Sequence, residues 1–251
     1  MNSIRSMIVI PARMHSTRLP GKMLLQTTGK PLIQHTYEAA VQAVKPERVI
    51  VATDHEEIYN TVVAFGGEAM MTDPEAASGT DRVAEVAENY PGMDIFVNVQ
   101  GDEPEICPES IDLAIESLET DEKAVMSTLA TPIRKIENLL DHSCVKVIFD
   151  DLQNTLYFSR GPIPMVAGRI EDLIEREPPI YYQHIGLYCY RRAFLKKIQS
   201  IPVSSLERIE RLEQLRVLQS GYRIKTAIIT ESYPGIDTPE DYDAFVKRWL
   251  T

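Results

Sequence analysis

The sequence predicts an α/β fold in which a mostly parallel sheet is covered by helices on both faces. Short, continuous apolar runs alternate with segments of helical periodicity through the first half of the 251-residue chain. Strands that are apolar along their whole length are typical of sheets buried on both faces, and the intervening helices supply the crossovers of parallel pairing. The composition agrees, because 44% hydrophobic and 25% charged residues is an ordinary globular balance.

Two strand–helix units open the chain. Residues 7–10 are a continuous apolar run and predict the first strand. After a polar loop, apolar residues recur at helical spacing at Ile33, Tyr37, Ala40, Val41 and Val44. Residues 48–52 predict the second strand, and the apolar positions of the helix after it are Ile58, Val62 and Phe65. This helix is expected to end at Gly66-Gly67, because glycine favours helix termination.

Two further units complete the first half. Residues 68–71 predict a short third strand. The helix that follows has its apolar positions at Val83, Val86, Ala87 and Tyr90. Residues 95–99 predict the fourth strand, and Pro108 suits the first position of the next helix, where its missing N–H is not needed. Strands and helices that alternate in this way predict βαβ units.

The pattern changes in the middle of the chain. Residues 145–149 and 155–159 flank a polar turn and predict a hairpin, and residues 185–190 predict another strand. We expect roughly residues 130–200 to form a β-containing lobe inserted into one domain that spans residues 1–251. The lobe is not expected to be an independent domain.

The C-terminal part is predicted to return to the core. One helix is expected over the apolar positions Leu206, Ile209, Leu212, Leu215 and Leu218, with Gly221 at its end. Residues 223–229 predict a strand. Thr238 as N-cap and Pro239 at the first helical position predict the start of the last helix.

Charge and cysteine content argue against several classes of protein. The formal net charge of −11 disfavours nucleic-acid and membrane-surface binding, both of which use basic faces. The apolar run at residues 7–10 is too short for a signal sequence or a membrane span. The three cysteines are widely spaced and indicate neither a disulfide framework nor a CxxC metal site. We therefore expect a soluble, cytoplasmic protein that binds neither nucleic acid nor membrane.

A basic loop follows the first predicted strand. It carries Arg13, Arg18 and Lys22 in an otherwise acidic chain. Ligands of open α/β sheets bind beyond the carboxyl ends of the strands, and clustered cations there can neutralise a triphosphate. Gly21 is the only glycine of the loop, which is therefore neither a GxGxxG nor a Walker motif. The same spacing is compatible with a solvated basic loop.

Two carboxylates are candidate metal ligands. Asp102 follows the apolar strand at residues 95–99, where it could hold Mg²⁺ together with phosphate oxygens. Gly-Asp pairs also form ordinary turns. Asp237 precedes the last predicted helix and could be a second metal carboxylate or a favourable charge at the helix N-terminus. The spacing does not decide between these roles, because the two acids are far apart in the chain.

Several short motifs occur in a fixed order along the chain. After the basic loop they are Ala52-Thr53-Asp54, Ser78-Gly79-Thr80-Asp81-Arg82, Gln100-Gly101-Asp102-Glu103-Pro104, Tyr157-Phe158-Ser159-Arg160, His184-Ile185-Gly186-Leu187-Tyr188, Leu212-Glu213-Gln214-Leu215-Arg216 and Gly235-Ile236-Asp237-Thr238-Pro239-Glu240-Asp241. This series resembles the 3-deoxy-manno-octulosonate cytidylyltransferase (CMP-KDO synthetase) family from about residue 7 to about residue 243. The resemblance implies a Rossmann-like nucleotidyltransferase fold whose inserted lobe serves sugar binding and dimerisation.

The resemblance also implies roles for the matching positions. The implied nucleotide-binding residues are Ala12, Arg13, Arg18, Lys22, Ser78 and Arg82, of which Arg13, Arg18 and Lys22 contact the phosphates. The implied catalytic residues are Arg13, Lys22, Asp102 and Asp237, and the two aspartates hold Mg²⁺. The implied sugar-binding residues are Gln100, Arg160, His184, Tyr188, Glu213 and Gln214. Structural interpretations stay open for several of them, since a strand histidine is often a hydrogen-bonded core residue.

The implied reaction transfers CMP from CTP to an acidic keto-sugar. The anomeric hydroxyl of 3-deoxy-D-manno-octulosonate (KDO) attacks the α-phosphate and expels pyrophosphate, which gives CMP-KDO for lipopolysaccharide biosynthesis. Arg160 is expected to pair with the sugar carboxylate, and a homodimer is implied. The alternatives are a cytidylyltransferase for the 8-amino analogue or sialic acid, and a non-catalytic nucleotide-binding regulator. The absence of GxGxxG after the first strand disfavours a dinucleotide-dependent dehydrogenase.

Overall fold

The computed structural model describes residues 4–16, 18–76, 78–166, 168–231 and 234–251. The strands in these ranges are β1 (Ser6–Ala12), β2 (Val49–Thr53), β3 (Ala69–Met71), β4 (Ile95–Asn98), β5 (Ala124–Pro132), β6 (Lys146–Phe149), β7 (Thr155–Ser159), β8 (Tyr182–Arg191) and β9 (Arg223–Ile228). The helices are α1 (Leu32–Ala40), α2 (Glu56–Ala64), α3 (Gly79–Asn89), α4 (Pro108–Glu119), α5 (Ile136–Leu140), α6 (Arg192–Ile198), α7 (Ser205–Glu210), α8 (Leu215–Gln219) and α9 (Pro239–Leu250).

The strands of the described ranges join one sheet. Its main path runs β3-β2-β1-β4-β8-β5-β9. Parallel pairs connect β3 to β2, β2 to β1, β1 to β4 and β5 to β9. Strand β8 lies antiparallel to both of its neighbours, β4 and β5. The predicted mostly parallel α/β sheet is therefore confirmed, and β8 makes it a mixed sheet.

Helices cover both faces of this sheet. Successive side chains of a strand point to opposite faces, so β1 contributes to two separate apolar clusters. Ile8 and Ile10 pack on one face with residues of α1, α2 and α4. Met7 and Val9 pack on the other face with residues of α3, α6 and α8. The continuous apolar run of β1 thus reflects burial on both sides, as the sequence predicts.

Two predicted helices are shorter in the structure. Helix α1 ends at Ala40, before Val41 and Val44, which are both exposed. The single helix predicted over residues 206–218 was wrong, since the chain forms α7 and α8 with a break between them. Arg211 lies at the break in the left-handed conformation, with φ 54°. The physical reason is packing, because Ile209 before the break is exposed whereas Leu212 and Leu215 after it are buried.

The predicted middle hairpin is present. Strand β6 pairs antiparallel with β7, and Lys146 of β6 pairs with Gln183 of β8. A small apolar cluster around Ile133, Leu139 and Tyr181 packs beside this hairpin. Strand β8, which falls within the predicted lobe at residues 130–200, lies inside the main sheet. None of the helices in the described ranges has the length and apolarity needed to cross a bilayer.

The C-terminal helix packs on the loop that leads into α1. Ile236, Tyr242 and Phe245 form an apolar cluster with Leu32 at the start of α1. The Tyr242 hydroxyl also accepts a hydrogen bond of 2.9 Å from the backbone N–H of Thr27. These contacts fix the start of α9 beside the carboxyl ends of β1 and β4, and so bring residues from opposite ends of the chain to one edge of the sheet.

Candidate active site

The loops after β1 and β4 meet at the carboxyl edge of the sheet. Because β1 and β4 are parallel neighbours, their ends lie side by side. Gly101 permits the close approach of the two loops, since a Cβ there would lie 3.0 Å from the Pro11 carbonyl oxygen. Gly21 has φ 65° and turns the first loop into the short 3-10 turn Lys22–Leu24. The sequence therefore folds so that Lys22 and Asp102 face each other.

Lys22 connects the two predicted metal carboxylates. Its Nζ donates to the Asp102 carboxylate, to the Ile236 carbonyl oxygen at 2.8 Å, and to Asp237 Oδ1 at 3.3 Å. The lysine side chain is 8% exposed, whereas the side chains of Asp102 and Asp237 are 23% and 49% exposed. Arg18 pairs with Asp237 Oδ2 at 3.0 Å from the solvent side. The cluster thus holds two carboxylates against two cations at the opening of a cleft.

Asp237 lies directly before the N-cap of α9, so its alternative role as a favourable charge at that helix N-terminus stays open. The N-cap of α9 is Thr238, which forms a capping box with Asp241. The Asp241 carboxylate also accepts the backbone N–H of Asp237 at 3.1 Å. Asp237 therefore turns its own carboxylate toward Lys22 and Arg18. The Ile236 N–H donates to the Asp102 carbonyl oxygen at 2.8 Å, which ties the two acidic segments together.

A cavity of about 800 Å³ opens beside this cluster. The three basic residues predicted to contact phosphates all line it, together with Asp102, Gln100 and Gly79. Gly79 is the first residue of α3, so the N-terminus of that helix also faces the cavity. Helix N-termini and clustered cations both favour anions. The cavity therefore has the charge and donor groups to bind a polyphosphate.

A second cavity of about 550 Å³ adjoins the first, because Gly79 and Gln100 line both. Its other lining residues are Thr80, Asn98, Met126, Tyr188, Tyr190, Ile198, Glu213, Gln214 and Val217. Four predicted sugar-binding residues are thus brought together here, namely Gln100, Tyr188, Glu213 and Gln214. The break between α7 and α8 places Glu213 and Gln214 at this cavity instead of on a continuous helix.

The second cavity is rich in hydrogen-bonding groups whose pKa values are raised by burial. Burial raises the pKa of Tyr188 well above its ordinary value, and the nearby Tyr190, Glu213 and Glu103 raise it further. Burial likewise raises the pKa of Glu213. The pKa of Tyr190 is also raised, chiefly by burial. Such a lining suits a polyhydroxylated ligand, whose hydroxyl groups can donate to and accept from these side chains.

His184 lines a third cavity, of about 940 Å³, with Gln183, Glu103 and Gly235. The side chain is nearly buried, its Nε2 lies 2.9 Å from Thr128 Oγ1, and its ring packs edge-on against Phe158. Burial lowers the pKa of His184 to about 3, so the imidazole is neutral. It is therefore a hydrogen-bonding group and not a cation. These contacts are also those of a satisfied core histidine, so its sugar-binding role stays a prediction.

Arg160 lines none of these three cavities, although its guanidinium contacts His142, whose neighbours Asp141 and Ser143 line the third. Each nitrogen of its guanidinium donates to a backbone carbonyl oxygen, with Nε on Glu210, Nη1 on His142 and Nη2 on Arg211. The Arg160 backbone N–H also donates to the Glu210 carboxylate at 2.9 Å. In this structure Arg160 therefore ties the end of β7 to α7 and to the loop before β6. Its pairing with a sugar carboxylate stays a prediction.

The remaining predicted nucleotide-binding residues, Ala12, Ser78 and Arg82, do not line the basic cavity. Ala12 is fully buried at the end of β1. Ser78 is the N-cap of α3 and forms a capping box with Asp81. Arg82 is completely buried, and its guanidinium binds Asp54 and Thr72 instead of lining the cavity. Arg82 thus fixes α3 against the end of β2, and its contact with the base or ribose stays a prediction.

Sequence reasoning missed several cavity residues. Asn98 Oδ1 accepts a hydrogen bond of 3.0 Å from Gln100 Nε2, and the Thr80 hydroxyl lies 3.4 Å from that of Tyr190. Glu103 has its pKa raised to about 8 by burial and by the adjacent Asp102 charge. The sequence did carry a signal for Asn98, because this polar residue interrupts the apolar run at residues 95–99 near the end of the strand. Thr80 gave no comparable signal.

The site fits a magnesium ion. Asp102 and Asp237 already converge on one cationic group, the ammonium of Lys22, and carboxylate oxygens are ligands that Mg²⁺ prefers. Within the described ranges, no group of three or more His, Cys, Asp and Glu side chains is arranged to hold a metal. Mg²⁺ is commonly bound by only one or two carboxylates plus phosphates and water. The donor set therefore matches a metal that arrives with a nucleotide.

Comparison with known proteins agrees with this geometry. The family model described as Cytidylyltransferase matches residues 7–225. A 3-deoxy-manno-octulosonate cytidylyltransferase from Rhodopirellula baltica is 46% identical, with 98% of each chain covered. A protein of the same name from Syntrophobacter fumaroxidans is 43% identical, with 95% of this chain and 94% of the relative covered.

Solved structures show the same fold. A structure of CMP:2-keto-3-deoxy-manno-octonic acid synthetase complexed with CTP has a TM-score of 0.91 and 39% identity, with 98% of each chain covered. A 4-diphosphocytidyl-2C-methyl-D-erythritol synthase from Anaerococcus prevotii has a TM-score of 0.63 at 13% identity, with 98% of each chain covered. The second similarity extends to the fold alone.

Proposed function

The chain belongs to the 3-deoxy-manno-octulosonate cytidylyltransferase family, and we propose that the cleft around Lys22, Asp102 and Asp237 is where it forms CMP-KDO. The protein is a nucleotidyltransferase that converts CTP and KDO into CMP-KDO and pyrophosphate. The observation that carries the assignment to this cleft is the convergence of both aspartates on one lysine beside a basic cavity.

The basic cavity takes the triphosphate of CTP. Arg13, Arg18 and Lys22 provide three cations on one loop, and charge-assisted hydrogen bonds from such groups to phosphate oxygens are strong. The N-terminus of α3 at Gly79 adds backbone donors on the opposite side. Held in this way, the α-phosphate faces the adjoining cavity through Gln100 and Gly79, which line both.

The adjoining cavity takes the sugar acid. Gln100, Tyr188, Glu213 and Gln214 present polar groups to it, and the tyrosine is neutral for the reasons given above. These donors and acceptors position the hydroxyl groups of the sugar. The anomeric hydroxyl is thereby held in line with the α-phosphate, and positioning is the main requirement of phosphoryl transfer.

Charge neutralisation at the reacting phosphate is the second requirement. The attack of the anomeric oxygen forms the new P–O bond while the bond to pyrophosphate breaks, and negative charge builds on the phosphate oxygens. Lys22 and Arg13 stabilise that charge. We propose Mg²⁺ as the cofactor, with Asp102 and Asp237 as its carboxylate ligands. When bound, Mg²⁺ supplies Lewis-acid stabilisation and lowers the pKa of a coordinated hydroxyl.

The wider biological setting follows from the family. We propose that CMP-KDO made by this protein activates KDO for lipopolysaccharide biosynthesis. We also propose a cytoplasmic homodimer that acts on CTP and an acidic keto-sugar. The support for the location and the dimer is the family relationship.

A turnover assay over a panel of substrates tests the function. Purified protein with Mg²⁺ is given each pairing of CTP or UTP with KDO, 8-amino-KDO or sialic acid, and pyrophosphate release is followed. We expect the highest kcat/KM for CTP with KDO. A higher value for another keto-sugar acid would reassign the substrate, and CTP binding without turnover of any sugar would indicate a nucleotide-binding regulator.

A further inference from the structure

The ammonium of Lys22 lies between the two carboxylates that are proposed to hold the metal. Its three N–H groups all have acceptors, namely the Asp102 carboxylate, the Ile236 carbonyl oxygen at 2.8 Å and Asp237 Oδ1 at 3.3 Å. The side chain is 8% exposed, so these bonds are made largely out of water. Lys22, together with Arg18 on Asp237, therefore balances the charge of the two acids.

A divalent cation and the Lys22 ammonium compete for these acids in this arrangement. Asp102 Oδ2 and Asp237 Oδ1 already accept from the ammonium, and Asp237 Oδ2 pairs with Arg18 at 3.0 Å. A metal placed on the same oxygens would add positive charge beside a nearly buried ammonium. Such repulsion is poorly screened away from bulk water. Movement of the lysine would remove this repulsion and free both carboxylates for the metal.

The cavity next to Lys22 offers the group that would move it. Lys22 lines the basic cavity together with Arg13 and Arg18. A lysine carries its charge on a flexible four-carbon stem, so the ammonium can change partners while the backbone stays in place. The phosphate oxygens of a bound triphosphate are strong acceptors for such a group. Nucleotide binding would thus turn Lys22 and Arg18 from the acids to the phosphates.

We propose that Lys22 is an exchangeable counter-cation, which holds Asp102 and Asp237 in the nucleotide-free site and yields them to the divalent ion when a triphosphate binds. This inference rests on the proposed function, because it takes the cavity beside Lys22 to be the CTP phosphate site. It makes metal binding weak without nucleotide and strong with it. The coupling is reciprocal, since each ligand raises the affinity for the other by the same factor.

Direct binding of Mn²⁺ to the nucleotide-free protein tests the exchange. Free Mn²⁺ is measured by electron paramagnetic resonance during titration of the wild type, Lys22→Met and Lys22→Arg. We expect Lys22→Met to bind Mn²⁺ about tenfold more tightly than the wild type, a typical size for coupling between sites. Lys22→Arg, which keeps a cation, should bind Mn²⁺ as weakly as the wild type.

The matched control is Lys30→Met. Lys30 pairs with Glu38 at 2.7 Å, is 40% exposed and does not line the basic cavity. The Lys30→Met variant should therefore bind Mn²⁺ with the affinity of the wild type. Circular dichroism shows whether each variant is folded, and Mn²⁺ should raise the Tm of Lys22→Met more than that of the wild type. Adding Asp102→Asn to Lys22→Met should abolish the extra affinity and so locate the ion.

Equal Mn²⁺ affinity in Lys22→Met and the wild type, with both folded, would overturn the proposal. So would tighter binding that survives Asp102→Asn, because the ion would then lie elsewhere. A Lys22→Met variant that folds only with Mn²⁺ present would support it, since the metal would be replacing the lost cation. Wild-type turnover of CTP and KDO is measured separately, so failure of the proposed function is distinguishable from failure of the exchange.

Discussion

Asp102 and Asp237 lie far apart in the chain, yet they accept hydrogen bonds from the same ammonium group, that of Lys22. The first acid comes from the loop after β4, and the second from the residue just before the N-cap of α9. The backbone contact from the Ile236 N–H to the Asp102 carbonyl oxygen fixes this arrangement at 2.8 Å. The two segments therefore act as one unit, and changes to either acid should have related effects.

The first prediction concerns Asp102. Asp102→Asn should lower kcat by on the order of a hundredfold or more while the protein stays folded, since loss of the proposed metal carboxylate would remove several kcal/mol of transition-state stabilisation. Pyrophosphate release at varied Mg²⁺ measures the effect. Asp151→Asn, a change at an exposed turn, is the control and should leave kcat unchanged. Near-normal turnover in Asp102→Asn would remove this residue from the metal site.

The second prediction concerns the binding of each substrate by Lys22→Ala. CTP affinity should fall more than KDO affinity, because the lost ammonium faces the basic cavity and not the adjoining one. Calorimetric titration of each substrate separately gives both constants. Lys30→Ala removes a lysine that pairs with Glu38, and it should bind CTP normally. Unchanged CTP affinity in Lys22→Ala would mean that the lysine serves only to hold the two acids.

The third prediction separates the two roles of Arg160. If its guanidinium also pairs with the sugar carboxylate, Arg160→Lys should raise the KM for KDO strongly and lower kcat, with CTP binding little changed. The three carbonyl contacts predict a lower Tm as well. Steady-state kinetics at saturating CTP distinguish a sugar-binding role from a structural one. Arg169→Lys, at an exposed position, is the control. A lower Tm with unchanged sugar KM and kcat would leave Arg160 a purely structural residue.

The fourth prediction follows from the buried, neutral His184. Its pKa is lowered to about 3 in the folded protein, whereas the ordinary histidine value is about 6.5. Between these two pKa values the imidazole is protonated in the unfolded chain but not in the folded protein. The free energy of unfolding should therefore fall as the pH drops below about 6.5. Between pH 7 and pH 5 the loss should be roughly 2 kcal/mol of unfolding free energy.

Urea unfolding at pH 7 and pH 5 measures this change in the free energy of unfolding. His184→Asn should be less stable than the wild type at pH 7 because it loses the contact with Thr128, but its stability should fall less on acidification. His142→Asn, at an exposed position, should keep the wild-type pH dependence. An identical pH dependence in the wild type and His184→Asn would show that the imidazole is not held neutral.

Local sequence patterns predicted most of the fold. The apolar run of β1 identified a strand buried on both faces, and the Thr238-Pro239 pair located the start of α9. The antiparallel direction of β8 was not accessible, because strand pairing depends on contacts between distant segments. The break at Arg211 was also missed, since the apolar spacing across it still matches a helix and only tertiary burial shows otherwise.

The site was predicted in part, for a similar reason. The cations of the loop after β1 are close in sequence, so their clustering was visible before the fold was known. The partnership of Asp102 with Asp237 depends on the packing of α9 against α1 through residues such as Phe245 and Leu32. That packing is a long-range contact, and spacing in the chain carries no information about it.

The proposed site is therefore tested most directly at Asp237, the acid that reaches Lys22 and Asp102 only through the fold. Pyrophosphate release from CTP and KDO is measured for Asp237→Asn over a range of Mg²⁺ concentrations, with Asp243→Asn on the exposed side of α9 as the matched control. We expect a fall in kcat of on the order of a hundredfold or more for Asp237→Asn, and wild-type turnover for Asp243→Asn. Wild-type kcat and Mg²⁺ dependence in a folded Asp237→Asn would contradict the proposed site.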